Sequence, residues 1–183
     1  IETNSTSVIE TIQALSYVSG VNGINKRSSA YKSRDKFSLI TYENSLKSSE
    51  IDATYGSAFN QIDMVKGISL HEDGYKGQGM VIAILDAGFN AVDQRNIFSS
   101  LRSNNQILGT YNFVNPSMGV YGSHSHGTMV LSVMGGNLAG EFLGTAPEAS
   151  YWLLITEDSD SEHLIEEYNW VAGAAFADSV GVD

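Results

Sequence analysis

The sequence predicts an α/β domain built on a mostly parallel sheet flanked by helices. Three observations carry that prediction. Met80-Val-Ile-Ala-Ile-Leu85 is an unbroken apolar run, which suits a strand covered on both faces. Two further apolar stretches, 106–114 and 151–156, follow as strand candidates. Helical patterns at 127–136 and 162–180 stand between and after them, so strands and helices alternate along the chain.

Taken in order, residues 1–50 differ from the rest and are rich in Ser, Thr, Asn, Lys and Arg. Val8, Ile9, Ile12 and Leu15 recur at helical spacing and predict a short helix from Thr6 to Ser16, capped by Thr6 or Ser7. Tyr17 to Val21 alternates weakly like a strand, and Ser45 to Asp52 reads as a polar linker. The chain is therefore expected to divide into residues 1–50 and 51–183. From Tyr55 glycine becomes frequent and the apolar runs tighten. Ala58 to Leu70 predicts a helix or helical turns, with Ile62, Val65 and Ile68 facing inward. Gly74 to Gly79 is a glycine-rich turn feeding the first strand. A nucleotide-binding glycine loop would instead follow a strand and open a helix. Gly127 to Gly136 reads as an apolar helix stopped by two glycines. Glu162 to Val180 predicts a long helix with Leu164, Tyr168, Val171 and Ala175 along one stripe. Its acidic start suits the positive end of a helix.

Composition narrows the function. A hydrophobic content of 42% in 183 residues is that of a packed globule. The net charge of −11 argues against a nucleic-acid surface and favours solubility as its plain meaning. With no Cys, disulfides and thiolate metal sites are excluded. No apolar run reaches the ~18 residues of a membrane span. The start Ile1-Glu-Thr has neither Met nor signal peptide and reads as an N-terminus not made by initiation. Asn4-Ser5-Thr6 is a sequon of a length that is common by chance.

Two places concentrate chemistry. Asp86 follows directly on the apolar run, and a carboxylate there is costly to desolvate unless something partners it. The carboxyl ends of parallel strands are where ligands and catalytic groups gather. An Asx-turn with Gly88 explains the same residue equally well. In Ser123-His124-Ser125-His126-Gly127-Thr128, a histidine opens an apolar helix that would hold its ring on a rigid support. An exposed loop histidine, or a His124-x-His126 metal pair, are the competing readings. The metal pair lacks a third ligand cluster nearby, so no metal is assigned. The acidic set Glu157, Asp158, Asp160 and Glu162 reads first as a solvated helix start.

A family resemblance rests on these residues. Gly74-Tyr-Lys-Gly-Gln-Gly-Met-Val-Ile-Ala-Ile-Leu-Asp86-Ala-Gly-Phe resembles the catalytic-Asp segment of the subtilisin-like serine proteases. His126-Gly-Thr-Met-Val-Leu-Ser-Val-Met-Gly-Gly resembles their catalytic-His segment. Gly144-Thr-Ala-Pro-Glu-Ala is similar to the turn that follows, and Glu167-Tyr-Asn-Trp-Val-Ala-Gly-Ala to the next family helix. Tyr55-Gly and then Gln61-Ile resemble the start of the mature enzyme. Asp86 precedes His126, in the family's order Asp, His, Ser. The family's Gly-Thr-Ser segment with the nucleophile does not occur in these residues, nor does the segment with the oxyanion-hole Asn. The loop Asn137 to Phe142 lacks the longer form that binds calcium in many relatives. Calcium therefore stays open for a full enzyme and has no support here.

The resemblance implies a subtilisin-like fold, incomplete, preceded by the C-terminal part of an inhibitory α+β propeptide in residues 1–50. It implies a secreted or cell-surface serine endopeptidase precursor, with its natural cut between Ser45 and Tyr55. In such an enzyme a serine from outside these residues attacks the scissile carbonyl. His126 acts as general base and then acid, and Asp86 holds its tautomer. Ser159, Asp160 and Ser161 are expected to pair with the substrate backbone. No cofactor is implied. The partners implied are a polypeptide substrate and the C-terminal half of the peptidase domain, supplied as a separate chain or as a continuation. The isolated chain is expected to be inactive and poorly stable. The alternative is an inert fragment or pseudo-protease acting as a binding or chaperone module.

Overall fold

A computed structural model describes residues 5–23, 54–160 and 163–183. The chain forms two compact units, Ile1–Ala30 and Tyr31–Asp183. The expected boundary at residues 50 and 51, the linker Ser45 to Asp52 and all but the last two positions of the expected cut region lie outside the described residues.

In the first unit, helix α1 spans Thr6–Gln13. It is shorter than the expected Thr6–Ser16, and Ser5 rather than Thr6 or Ser7 occupies the N-cap position. Ser5 and Ser7 share a hydrogen bond between their hydroxyls at 2.9 Å. None of the helix residues is buried, and Ile9 and Ile12 are half-buried. Residues 17–21 are not a strand. An extended segment becomes a strand only against a neighbour, and the described residues of this unit offer none.

The second unit is a mixed α/β layer structure with a parallel three-stranded sheet flanked by helices, the class the sequence predicts. Its strands are β1 (Val81–Asp86), β2 (Ile107–Asn112) and, later in the chain, β5 (Ser150–Ile155). The order is β1-β5-β2, with both pairings parallel. Strand β5 lies in the middle, and its Tyr151, Leu153 and Leu154 are fully buried. The register aligns Ile84 with Leu153 and Asp86 with Ile155. Val81 to Ala83 of β1 remain half-buried because β1 is an outer strand of the three. On its outer edge only the chain's last residue pairs with it among the described residues. There Asp183 N donates to Val81 O at 3.0 Å, and Asp183 Oδ2 accepts from Val81 N at 2.9 Å.

The helix or helical turns expected from Ala58 to Leu70 are two short helices, α2 (Phe59–Met64) and α3 (Gly67–Glu72). The break falls at Lys66, which takes a left-handed conformation with φ 60°. Gly67 then packs so closely that a Cβ there would lie 2.9 Å from Ile62 Cγ2. The break turns Val65 outward to 60% exposure, while Ile62 stays buried. A short 3-10 turn (Asn96–Phe98) leads into α4 (Ser99–Ser103). Helix α5 spans His126–Gly135, so His126 is itself its first residue. A hairpin of β3 (Asn137–Leu138) and β4 (Phe142–Leu143) fills the loop where no strand is expected.

Helix α6 runs from Ile165 to Ser179. The apolar stripe read from the sequence faces outward: Leu164 just before the helix, Tyr168 and Val171 are 62%, 50% and 59% exposed. Its buried residues are Gly173 and Ala177. The reason is close approach, since a Cβ on Gly173 would meet Thr156 Cγ2 at 2.7 Å and Leu85 Cδ2 at 3.1 Å. Small residues therefore face the sheet. Successive strand residues point to opposite faces. Helix α6 meets Leu85, whereas α5 meets Asp86, so the two helices cover opposite faces of β1. The α5 face holds the main core of Ile84, Phe89, Phe98, Leu101, Leu131, Tyr151 and Leu153. The α6 face carries an aromatic group, with Trp152 and Phe176 ring centres 5.1 Å apart.

Candidate active site

Asp86 is the last residue of β1, and the strand alternation turns it onto the α5 face. It is buried, with its side chain 7% exposed. Such a carboxylate needs donors, and it has two. Ala87 N donates to Oδ1 at 2.7 Å, and His126 Nδ1 donates to Oδ2 at 2.8 Å. The backbone is held as well, because Thr156 N donates to Asp86 O at 3.0 Å. The two sequence motifs thus meet in space at hydrogen-bond distance. The carboxylate fixes the proton on Nδ1 and leaves Nε2 as the ring's basic nitrogen. The His126 side chain is 35% exposed, so the ring bridges a buried carboxylate and the surface.

Two glycines permit this approach. Gly88 has φ 158°, and a Cβ there would lie 2.2 Å from Ser123 Oγ and 2.5 Å from His124 N. A Cβ on Gly127 would lie 2.6 Å from Gly88 O, 2.8 Å from Phe89 Cε1 and 3.0 Å from Asp86 Cβ. The turn after Asp86 and the start of α5 therefore interlock through missing side chains. Further backbone bonds tie them together. Phe89 N donates to Val120 O at 3.1 Å and Asn90 N to His124 O at 3.2 Å. Thr128 Oγ1 returns a bond to Asn90 O at 3.0 Å. Gly127→Ala is expected to force α5 away from this turn and to lower stability by about 1–3 kcal/mol, as overpacking does. Urea unfolding of the variant beside the wild type measures the loss.

His124 lies two residues before His126, at the loop end that leads into α5. Its Nδ1 accepts from His126 N at 3.0 Å. Among the described residues no group of three or more His, Cys, Asp or Glu is placed to hold a metal ion. Ser159 and Asp160 form a turn in which Asp160 N donates to Asp158 Oδ1 at 3.0 Å, and Ser161 lies outside the described residues. An open groove of about 640 Å³ lies beside this turn, lined by Glu157, His163, Leu164, Glu166, Trp170 and their neighbours. Neither Asp86 nor His126 lines it.

The sequence reading missed His71. It is buried, with Nδ1 3.2 Å from Tyr55 Oη and Nε2 2.9 Å from Thr145 O. The ring joins α3 to the segment after β4. No spacing signals it, because both partners are distant in sequence. Burial also raises the pKa of the Tyr151 phenol, which donates to Ala146 O at 2.7 Å and so stays a neutral core donor.

No protein-family model matches the sequence, and no curated protein matches it. Among solved structures, the chain is similar to the crystal structure of MycP1 with the N-terminal propeptide removed. The identity is 18% and the TM-score 0.48, over 71% of this chain and 37% of that one. That likeness is a weak one, at the level of the fold. The chain spans little more than a third of that protein's length. No helix among the described residues is long and apolar enough to cross a membrane.

Proposed function

We propose that this chain supplies the acid–base pair of a subtilisin-like serine endopeptidase, with His126 as the general base and acid and Asp86 as the residue that orients it. The observation that carries the reading is the 2.8 Å bond between His126 Nδ1 and Asp86 Oδ2, made by a buried carboxylate at a strand end and a ring at a helix start. It leaves Nε2 to take the proton of a serine hydroxyl during attack on a peptide carbonyl, and to return a proton to the leaving amine. The serine and the oxyanion donors are expected from polypeptide outside these 183 residues, which contain no Gly-Thr-Ser segment. The motif resemblance supports a polypeptide substrate, an N-terminal propeptide and a secreted or cell-surface location. The substrate-backbone role of Ser159, Asp160 and Ser161 belongs to the same proposal.

The test is hydrolysis of a fluorogenic peptide. The 183 residues alone are expected to turn over none. The protein carrying them together with the polypeptide encoded after Asp183 is expected to cleave it and to be inactivated by a serine-directed sulfonyl fluoride. Turnover by the 183 residues alone, or full turnover after sulfonyl fluoride treatment, would sink the reading.

A further inference from the structure

Helix α5 begins at the residue that carries the base, and helix starts fray unless their first N–H groups find acceptors. The residue at the N-cap position, Ser125, makes no side-chain cap bond. The first helical N–H, that of His126, donates instead to Nδ1 of His124 at 3.0 Å. The carbonyl of His124 accepts from Asn90 N at 3.2 Å, in the loop that leaves Asp86. One residue therefore fastens the loop after the carboxylate with its backbone and the start of the histidine helix with its ring.

We propose that His124 is a positioning residue for His126, acting as a side-chain cap of α5 in the Nε2–H tautomer, opposite to the Nδ1–H tautomer of His126. The proposal deepens the hydrolase reading and rests on it, since it concerns how the base is aimed. The chemistry fixes the tautomer. A ring nitrogen that accepts a backbone N–H carries no proton, so the His124 proton sits on Nε2. His126 donates from Nδ1 to a carboxylate, so its proton sits on the other nitrogen. With its N–H held by His124, its ring by Asp86 and Gly127 seated against Gly88, His126 has little freedom to rotate. Asparagine places an oxygen within reach of the N–H two residues on. It can replace the ring as acceptor, whereas phenylalanine keeps the bulk and offers none.

The experiment is long-range proton–nitrogen NMR on the full chain with 15N-histidine, assigning the four histidines by single replacement. The wild type is expected to show His124 as Nε2–H and His126 as Nδ1–H, with a low-field proton from the bond to Asp86. His124→Phe is expected to lose that low-field proton, and His124→Asn to keep it, at matched helix content by circular dichroism. A wild-type His124 protonated on Nδ1 overturns the proposal. So does an undiminished low-field proton in His124→Phe, or its loss in His124→Asn. If either variant loses helix content, the wild-type tautomer of His124 alone decides. A wild type with His124 as Nε2–H but no low-field proton supports the cap and counts instead against the Asp86–His126 reading. Peptide hydrolysis tests that reading separately.

Discussion

His126→Ala, made in the complete polypeptide that carries these residues, is expected to retain its N-terminal segment while the wild type sheds it. Removing the general base from a serine-hydrolase triad costs on the order of 10⁶ in kcat. From a typical kcat of about 10 s⁻¹, that loss stretches self-cleavage from under a second to roughly a day. The expected cut lies between Ser45 and Tyr55, ahead of the region where Tyr55, Ala58, Ile62 and Leu143 form a small buried cluster. Cleavage favours the chain before such packing begins. N-terminal sequencing in a protease-free background reads the result. Equal trimming of mutant and wild type in that window would mean that His126 does not carry the cleavage.

Asp86→Asn is expected to cost about 10⁴ in kcat against a peptide substrate, with the fold retained. The amide has nearly the shape of the carboxylate, so packing at the end of β1 changes little. What it loses is one of two acceptors: Oδ1 takes the Ala87 N–H and Oδ2 the His126 Nδ1–H, and an amide has a single oxygen for the two. If the amide presents its NH2 to the ring, Nδ1 becomes the acceptor, and the proton then sits on Nε2, where the base is needed. Steady-state hydrolysis gives the rate, and the low-field proton of the wild type should vanish in the same variant. A loss of less than tenfold would reduce Asp86 to a turn residue, as the Asx-turn reading has it.

The unequal readability of the elements follows from what carries each signal. The strands were legible to within a residue or so, because β1 and β5 are continuous apolar runs and a buried parallel strand is defined by that run. Helices were read less well. The stripe of Leu164, Tyr168 and Val171 obeys helical spacing yet faces outward, since Gly173 and Ala177 allow a closer approach to the sheet than large side chains do. The hairpin of β3 and β4 left no trace, since two-residue strands show no period.

The sequence by itself determined the layered α/β class and singled out Asp86 and His126, because a carboxylate after an apolar run and a histidine before an apolar helix are local patterns. Only the tertiary structure decided that the two side chains meet. It also decided that Gly88 and Gly127 are the contact surface between their segments, and that His124 turns its ring to the backbone N–H of His126. Those outcomes depend on close approach between segments far apart in the chain. Such approaches are governed by packing and hydrogen-bond geometry in three dimensions, which residue spacing along one dimension does not encode.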